Sequence, residues 1–169
     1  AQVDADLLSV ISPAEIVINL VGILAPSGQQ TFPALQAELP ARIGRMAKET
    51  GCHQVVHVSA LGAKLKSQST YARTKAEGER GLLRQFPDAV IMQPSIIFGP
   101  GDNFFNRFGQ MAMFSPALPL IGGGKSLMQP VFVGDVAYAG LAAPGMEGTK
   151  GKIFQLGGPQ TYSFGDFMR

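Results

Sequence analysis

The sequence predicts an α/β fold, in which a doubly wound parallel sheet is covered by helices on both faces. Three runs, "EIVINLVGIL", "HQVVHV" and "AVIMQPSIIFG", are continuously apolar or β-branched, as is typical of strands buried on both faces. The segments between these runs are long enough for helical crossovers, which parallel strands require. Ligands of such sheets bind beyond the carboxyl ends of the strands.

The first half of the chain predicts a strand, a helix and a second strand. Residues 15–24 form the first run, and the turn "APSGQQ" follows it. Residues 32–50 carry apolar side chains at helical spacing and predict a helix, with Gly51 as its C-terminal cap. Pro40 lies inside this helix and predicts a kink or a division into two pieces. Residues 53–58 are the next strand.

The second half begins regularly and then becomes irregular. Residues 70–86 predict a helix capped by Ser69 or Thr70, and residues 89–99 predict the third strand. After Pro100 we expect a short helix at 104–113 and then loops rich in Pro and Gly. "VFVGDVAYAGLAA" predicts a short strand and a helix, and "KIFQLGG" predicts the last strand.

Composition limits the classes of function. The chain has 169 residues, of which 46% are hydrophobic and 15% charged, which is sufficient for one packed core. The net charge of +2 comes from scattered basic residues, so a nucleic-acid partner is not expected. The single Cys52 cannot form an internal disulfide, and no metal site is predicted. No apolar run approaches the roughly 20 residues of a membrane span, which favours a soluble or membrane-peripheral protein.

The chemically most informative residues are Ser59, Tyr71 and Lys75. Tyr71 and Lys75 are four residues apart on the predicted helix and therefore share one face, while Ser59 ends the neighbouring strand. A phenol transfers protons near neutral pH only if its pKa falls well below about 10, and a nearby ammonium favours the phenolate. The Ser hydroxyl would then hold a substrate oxygen. The structural alternatives are a strand-end cap for Ser59 and a solvated amine for Lys75.

Other polar residues are weaker candidates. His57 lies within an apolar strand and is predicted to be a core residue rather than a catalyst, and N-cap chemistry accounts for Asp135. "GGGK" at 122–125 lacks the spacing of a phosphate-binding loop and predicts a turn. Residues 104–119 combine Phe and Met with few charges, so we expect them to contact a partner subunit or the membrane surface, although core packing explains them equally well.

Several motifs in this order resemble the short-chain dehydrogenase/reductase superfamily, in its atypical and extended branches. They are "VINLVG", "VVHVSALGA", "YARTKAEGE", "PSIIFGP" and "QPVFVGDVA", and they cover nearly the whole chain. More narrowly, the series "INLVGIL", "HVSALGA", "YARTKAEGE", "FPDAVIMQPSIIFGPGDNFFNRF" and "QPVFVGDVA" resembles the nucleotide-binding accessory subunit family of respiratory complex I and its bacterial relatives.

The resemblance implies a Rossmann-like architecture. Residues 1–100 would be part of a dinucleotide-binding domain, and residues 101–169 a smaller, irregular lid or partner-contact region on the substrate side that returns to the sheet, all within one continuous domain. The superfamily's Gly-rich first turn is absent. We therefore expect an N-terminally incomplete stretch that also lacks a C-terminal part, with the diphosphate site outside it.

The resemblance also implies roles for individual residues. Lys75 would donate hydrogen bonds to the nicotinamide ribose, Tyr71 would lie between ribose and substrate, and Ser59 would face the reacting group; these three are catalytic only in an active enzyme. Asp4 or Asp6 would lie near the adenine. The remaining cofactor-binding positions are backbone and side chains beneath or beside the cofactor: Leu20, Val21, Gly22, Pro94, Ser95, Ile96 and Ile97.

Three functions follow from the resemblance as hypotheses. The first is an accessory subunit of a proton-pumping NADH:quinone oxidoreductase that holds NADP(H), in preference to NAD(H), for structure or assembly without turnover. Its partners would be the other complex I subunits and, peripherally, the cytoplasmic face of a bacterial inner membrane or the matrix side of the mitochondrial inner membrane. The second is a free-standing NAD(P)-dependent epimerase or oxidoreductase acting on a carbonyl or sugar-nucleotide substrate. The third is a scaffold that binds no nucleotide.

Overall fold

The computed structural model describes residues 2–12, 14–102 and 124–167. Its helices are α1 (Gln2–Ile11), α2 (Leu39–Glu49), α3 (Thr70–Gln85), α4 (Val133–Ala142) and α5 (Phe164–Phe167). Its strands are β1 (Ile16–Asn19), β2 (Gln54–Val58), β3 (Val90–Pro94), β4 (Ile97–Phe98), β5 (Leu127–Met128), β6 (Val131–Phe132), β7 (Ile153–Leu156) and β8 (Tyr162–Ser163).

The main sheet confirms the predicted fold class. Its strand order is β1-β2-β3-β7, and both β1 with β2 and β2 with β3 pair in parallel. Asn19 lies opposite His57, and His57 lies opposite Ile91, so the strands end near the same edge. The three strands are joined through α2 and α3, as the lengths of the connecting segments predict.

The chain divides into two compact units, Ala1–Gln93 with Ala139–Gln155, and Pro94–Tyr138 with Leu156–Arg169. In the first unit, α2 and α3 pack on one face of the sheet. The apolar core there consists of buried side chains from the sheet, the helices and the adjoining turns, among them Ile11, Ile43, Met46, Ala47, Cys52, Val55, Leu82, Phe86, Ala89 and Ile91. A short 3-10 helix, Ala143–Gly145, contacts β2 from within the same unit.

Pro40 divides the predicted helix at 32–50 into two pieces, as expected. A π-helical stretch, Pro33–Glu38, precedes α2, and Pro40 lies in the first turn of α2. Proline has no N–H to donate to the carbonyl of Gln36, four residues earlier, and a wider turn relieves the clash of its ring with that carbonyl. Gly78 of α3 packs against this carbonyl so closely that a Cβ would lie 1.9 Å from the Gln36 oxygen.

Helix ends follow the predicted local chemistry. The side chain of Ser69 accepts a hydrogen bond from the N–H of Ala72 at 3.4 Å and caps α3. Gly51 follows α2 with φ of 75°, a left-handed conformation that favours glycine. Asp135 lies in the first turn of α4 rather than at its N-cap, so the predicted capping role is wrong. An acidic residue in the first turn still interacts favourably with the positive end of the helix dipole.

Three elements differ from the sequence prediction. The strand expected at 15–24 ends at Asn19, because the Asn19 side chain accepts a hydrogen bond from the N–H of Val21 at 3.0 Å and turns the chain away from the sheet. The run at 89–99 is divided between β3 and β4. Helix α1 was not expected from the pattern of residues 1–10.

In the second unit, short strands form two small sheets. β4 pairs in parallel with β6, and β5 pairs antiparallel with β8. The rings of Phe98 and Phe132 lie 5.7 Å apart, and Phe164 is almost completely buried. The helix predicted at 104–113 and the contact segment predicted at 104–119 lie outside the described residues. The domain division at residue 100 stays a prediction.

Candidate functional site

Lys75 occupies a buried position at the carboxyl edge of the main sheet. It lies on the sheet-facing side of α3 and is only 4% exposed. Its Nζ donates a hydrogen bond to the carbonyl of Val58, the last residue of β2, at 3.2 Å. A Cβ on Gly22 would lie 3.1 Å from the same Nζ. The structure therefore brings Lys75 together with the segment after β1, where Leu20 and Val21 are exposed and Gly22 adjoins the amine.

Tyr71 lies one turn earlier on α3. Its ring is half-buried and meets Phe32 edge-on, with ring centroids 6.0 Å apart and an interplanar angle of 79°. Burial raises the pKa of the Tyr71 phenol above its usual value of 10.0. Proton transfer by this phenol near neutral pH would require the opposite direction, a pKa lowered by the nearby ammonium. In this geometry desolvation of the phenol decides the direction.

Ser59 is buried immediately after β2. Its N–H donates to the carbonyl of Met92 at 2.7 Å, which continues the pairing with β3. Its Oγ is buried and has no hydrogen-bond partner among the described residues, so no hydrogen bond joins it to Tyr71 there. An unpaired buried hydroxyl costs free energy unless a ligand or water satisfies it.

Two buried side chains that the sequence analysis left out of the site support the segment after β1. Asn19 and His57 are 3% and 0% exposed, and Asn19 Nδ2 lies 3.0 Å from His57 Nδ1. Because Asn19 Oδ1 accepts from Val21, its amide nitrogen faces His57, which makes His57 Nδ1 the acceptor. Burial, aided by the positive charge of Lys75, lowers the pKa of His57 to about 3. His57 is therefore a neutral core residue near neutral pH.

Buried polar side chains of α3 lie both before and after Lys75. Glu79 is 6% exposed, and its Oε1 accepts a hydrogen bond from Gln93 Nε2 at 2.8 Å. Thr74 donates to Gln36 Oε1 at 2.9 Å, and Gln36 in turn donates to the carbonyl of Ile23 at 2.7 Å. This second chain of hydrogen bonds ties the loop after β1 to α3. In the sequence, the spacing of four residues between Lys75 and Glu79 is what indicates that both lie on one face of the helix.

The other predicted positions lie elsewhere. Asp4, a candidate for the adenine side, forms an ion pair with Arg42 of α2, whose hydrogen bond lowers the pKa of the Asp4 carboxyl. The cofactor-flanking positions that the resemblance implied after β3 begin at its last residue and belong to the second compact unit: Pro94, Ser95, Ile96 and Ile97. Of the predicted turn at 122–125, the described part is Gly124 and Lys125, and Gly124 has φ of 77°.

The described ranges contain no cluster of three or more His, Cys, Asp or Glu side chains that could hold a metal ion. Among their helices, none is both long enough and apolar enough to cross a bilayer.

The site can hold oxygen atoms of a ligand at the sheet edge. Lys75 has three N–H donors, of which one bonds to Val58, and Ser59 Oγ is a buried hydroxyl that lacks a partner in the described part of the chain. Both groups lie at the carboxyl ends of parallel strands, the edge where sheets of this kind bind ligands.

Sequence comparison relates the chain to mitochondrial proteins, although it matches no protein-family model. It is 37% identical over 150 residues to NADH dehydrogenase [ubiquinone] 1 alpha subcomplex subunit 9 of Mus musculus, covering 88% of this chain and 40% of that protein. The protein of the same name from Arabidopsis thaliana is 36% identical over 157 residues, covering 92% of this chain and 39% of its own length. The chain thus spans about 40% of the length of these relatives.

Structural comparison confirms the fold. A dTDP-glucose 4,6-dehydratase from Streptomyces venezuelae, solved with NAD bound, superposes with a TM-score of 0.83 at 19% identity, covering 97% of this chain and 58% of that one. The sequence similarities confirm the expected resemblance to the complex I accessory subunit family, and the structural similarity confirms the expected Rossmann-like fold.

Proposed function

We propose that this chain forms the nucleotide-binding part of an accessory subunit of respiratory complex I, a proton-pumping NADH:quinone oxidoreductase. The observation that carries the proposal is the 37% identity over 88% of the chain to a protein named as a subunit of that complex. Its partners would be the other subunits of the complex. It would lie peripherally at the matrix side of the mitochondrial inner membrane or the cytoplasmic face of a bacterial inner membrane.

The site favours holding a nucleotide over turning it over. The buried ammonium of Lys75 provides the hydrogen bonds that a ribose needs, and they are charge-assisted. The Tyr71 phenol has a raised pKa, so at neutral pH it stays protonated and is a poor base. We propose that the bound nucleotide is NADP(H) rather than NAD(H) and serves structure or assembly, while electron transfer belongs to other chains.

The two parts of the chain would have different roles, nucleotide binding and contact with a partner subunit. Residues 1–100 would contribute to the dinucleotide-binding domain, with Leu20, Val21 and Gly22 beneath the cofactor and residues 94–97 beside the nicotinamide. Residues 101–169 would form the smaller region that faces a partner subunit. This division rests on the resemblance.

Co-purification from the native host tests the proposal. The full-length protein, carrying an affinity tag at its genomic locus, should bring down a large membrane complex with quinone-linked NADH oxidation. Nucleotide released by denaturing that complex should be NADP(H) by mass spectrometry, in about one copy per tagged chain. A tagged protein recovered alone from the soluble fraction would contradict the complex I assignment, and NAD(H) in the released pool would contradict only the choice of nucleotide.

A free-standing NAD(P)-dependent epimerase or oxidoreductase is the second candidate. Two observations favour it: Ser59, Tyr71 and Lys75 are all present, and the fold is that of a dehydratase solved with NAD. Under this hypothesis the purified protein turns over a carbonyl or sugar-nucleotide substrate, and Tyr71→Phe lowers the rate by about 10²–10⁴-fold. A protein that joins the complex but releases no nucleotide would instead support the scaffold hypothesis.

A further inference from the structure

A buried carboxylate lies one helical turn beyond Lys75. Glu79 is on the same face of α3, is 6% exposed, and hydrogen-bonds through Oε1 to Gln93 Nε2 of β3 at 2.8 Å. Gln93 is itself 7% exposed, and Gln155 Nε2 of the neighbouring strand lies 3.5 Å from its Oε1. The carboxylate is therefore held in place from the sheet and is shielded from water.

Lys75 needs such a partner because its ammonium is buried. Burial lowers the pKa of Lys75, since the charged form loses its hydration. The hydrogen bond to the Val58 carbonyl satisfies one donor but supplies no countercharge. The charge of Glu79 acts in the opposite direction and raises the pKa of Lys75. Within the described residues, no ion pair places a carboxylate within 4 Å of the ammonium, so the effect acts through space.

The other titratable groups around the ammonium do not replace Glu79. From β2, His57 faces Lys75 and is neutral near neutral pH, because its pKa is lowered to about 3. On α3 itself, Tyr71 has a raised pKa and is also neutral. The segment after β1, residues 20–24, has only apolar side chains and glycine. Glu79 is thus the negative charge that these three elements place near the ammonium.

Gln93 suits this arrangement because it is a neutral donor. Its amide satisfies one carboxylate oxygen of Glu79 without cancelling the negative charge, as a Lys or Arg at the same position would. In a buried environment of low effective dielectric constant, a fixed charge acts over a longer distance than it does in water. The Glu79–Gln93 pair therefore acts on Lys75 without an ion pair between Glu79 and the ammonium.

We propose that Glu79, anchored by Gln93, is a positioning residue that keeps the Lys75 side chain charged in its buried place, so that the ammonium can hold the ribose of a bound nucleotide. The part of this proposal in which Lys75 holds a ribose rests on the proposed function. The electrostatic link between Glu79 and Lys75 stands independently of it, and the two can be tested separately.

The test uses the full-length protein with Glu79→Gln and the matched control Glu77→Gln on the same helix. Glu79→Gln keeps the shape and a hydrogen bond to Gln93 but deletes the charge. The first readout is an NMR titration of Lys75 in protein labelled at the lysine side chains, assigned through Lys75→Met. The Lys75 signal should titrate at lower pH in Glu79→Gln than in the wild type or in Glu77→Gln.

The second readout is NADP⁺ affinity, measured calorimetrically from pH 6 to pH 10. At the acid end of this range, where protonation of Lys75 is most complete, the three proteins should differ least in affinity. As the pH rises, affinity should fall first in Glu79→Gln, by about tenfold once the lysine is neutral, as expected from the loss of charge-assisted hydrogen bonds. Glu79→Asp, which retains the charge, should restore most of the wild-type profile, a rescue that a merely structural role would not produce.

Identical Lys75 titrations in Glu79→Gln and the wild type would overturn the inference. Should Glu79→Gln not fold, Glu79→Met provides the same deletion of charge for the titration. If the wild type binds no NADP⁺ or NAD⁺ at any pH, the proposed nucleotide-binding function fails, while the NMR titration still decides the link between Glu79 and Lys75.

Discussion

Two parts of helix α3 pack against the same face of the sheet with different chemistry. In residues 70–79, called its polar half, the buried polar side chains are those of Thr74, Lys75 and Glu79, each less than 10% exposed, and the buried apolar side chain is the small Ala76. In residues 80–85, its apolar half, the helix buries Leu82 completely, and the Phe86 side chain that follows it joins the same apolar cluster. One helix thus carries both the candidate site and a large part of the core.

The difference separates stability from function along a single element. Apolar burial contributes about 25 cal/mol per Å² of surface removed from water, so the second half stabilises the fold. The first half buries an ammonium, and the sheet end that it covers leaves Ser59 Oγ and His57 Nε2 unpaired within the described residues, which costs free energy. Buried charges and unpaired polar atoms of this kind are expected at functional sites, and the stability of the surrounding core compensates for their cost.

Substitution in the apolar half should have the largest effect. Leu82→Ala removes a fully buried side chain from the core cluster and should lower the free energy of unfolding by about 2–5 kcal/mol. Urea denaturation followed by circular dichroism measures this change. Leu141→Ala is a matched control, because Leu141 is also helical but 71% exposed, and it should change stability by less than about 0.5 kcal/mol. Equal losses of unfolding free energy in the two variants would contradict the role of this part of the helix in stabilising the core.

Acid should destabilise the sheet edge that the polar half of α3 covers, through His57 of β2. The folded-state pKa of about 3 lies below the ordinary value of 6.5, so the unfolded chain binds a proton at a pH where the folded chain does not. Stability from this group is complete above pH 6.5 and falls as the pH drops toward 3, by about 1.4 kcal/mol per pH unit. Between pH 6.5 and 4.5 the loss should be about 2–3 kcal/mol.

Comparison of variants isolates the contribution of His57. His57→Gln cannot titrate in this range, so its stability should depend on pH less steeply than that of the wild type. His53→Gln is the control, because His53 is exposed and precedes β2. If wild type and His57→Gln lose stability in parallel between pH 6.5 and 4.5, His57 is not the buried neutral residue described above.

The sequence predicts the helices and strands better than the side-chain contacts between them. The alternation of strands and helices, the cap at Ser69 and the break at Pro40 depend on local chemistry, and all are confirmed. The end of β1 at Asn19 was missed, because the apolar run continues to residue 24 while a single side-chain hydrogen bond turns the backbone.

The electrostatics of the site depend on tertiary packing, which no local pattern specifies. The phenol of Tyr71 is desolvated in a fold where Phe32, from the start of the preceding helical segment, packs on its ring. Glu79 meets Gln93 across 14 residues of chain through the register between α3 and β3. The pattern Tyr-x-x-x-Lys therefore predicts where the site lies but not the pKa directions within it.

Within the polar half, Lys75 should matter most for the ligand. Lys75→Met keeps most of the buried stem and removes the ammonium, and it should weaken NADP⁺ binding more than tenfold, since each charge-assisted hydrogen bond contributes about 1.5–3 kcal/mol. Lys66→Met, at an exposed position, should bind like the wild type. Isothermal titration calorimetry at pH 7 measures both affinities. Unchanged affinity in Lys75→Met would remove Lys75 from the site.

Tyr71→Phe should have the smallest effect, and this near-absence of effect distinguishes a binder from an enzyme. The substitution deletes one hydroxyl and leaves the ring that packs on Phe32, so stability and NADP⁺ affinity should both stay close to those of the wild type. The phenol is needed only where a proton moves, and its raised pKa opposes action as a general base at neutral pH. Under the proposed complex I function, Tyr71→Phe should therefore leave quinone-linked NADH oxidation unchanged, whereas Lys75→Met should reduce the amount of assembled complex. A Tyr71→Phe protein that binds NADP⁺ normally but loses a reductase activity shown by the wild-type chain alone would make the polar half of α3 an active site.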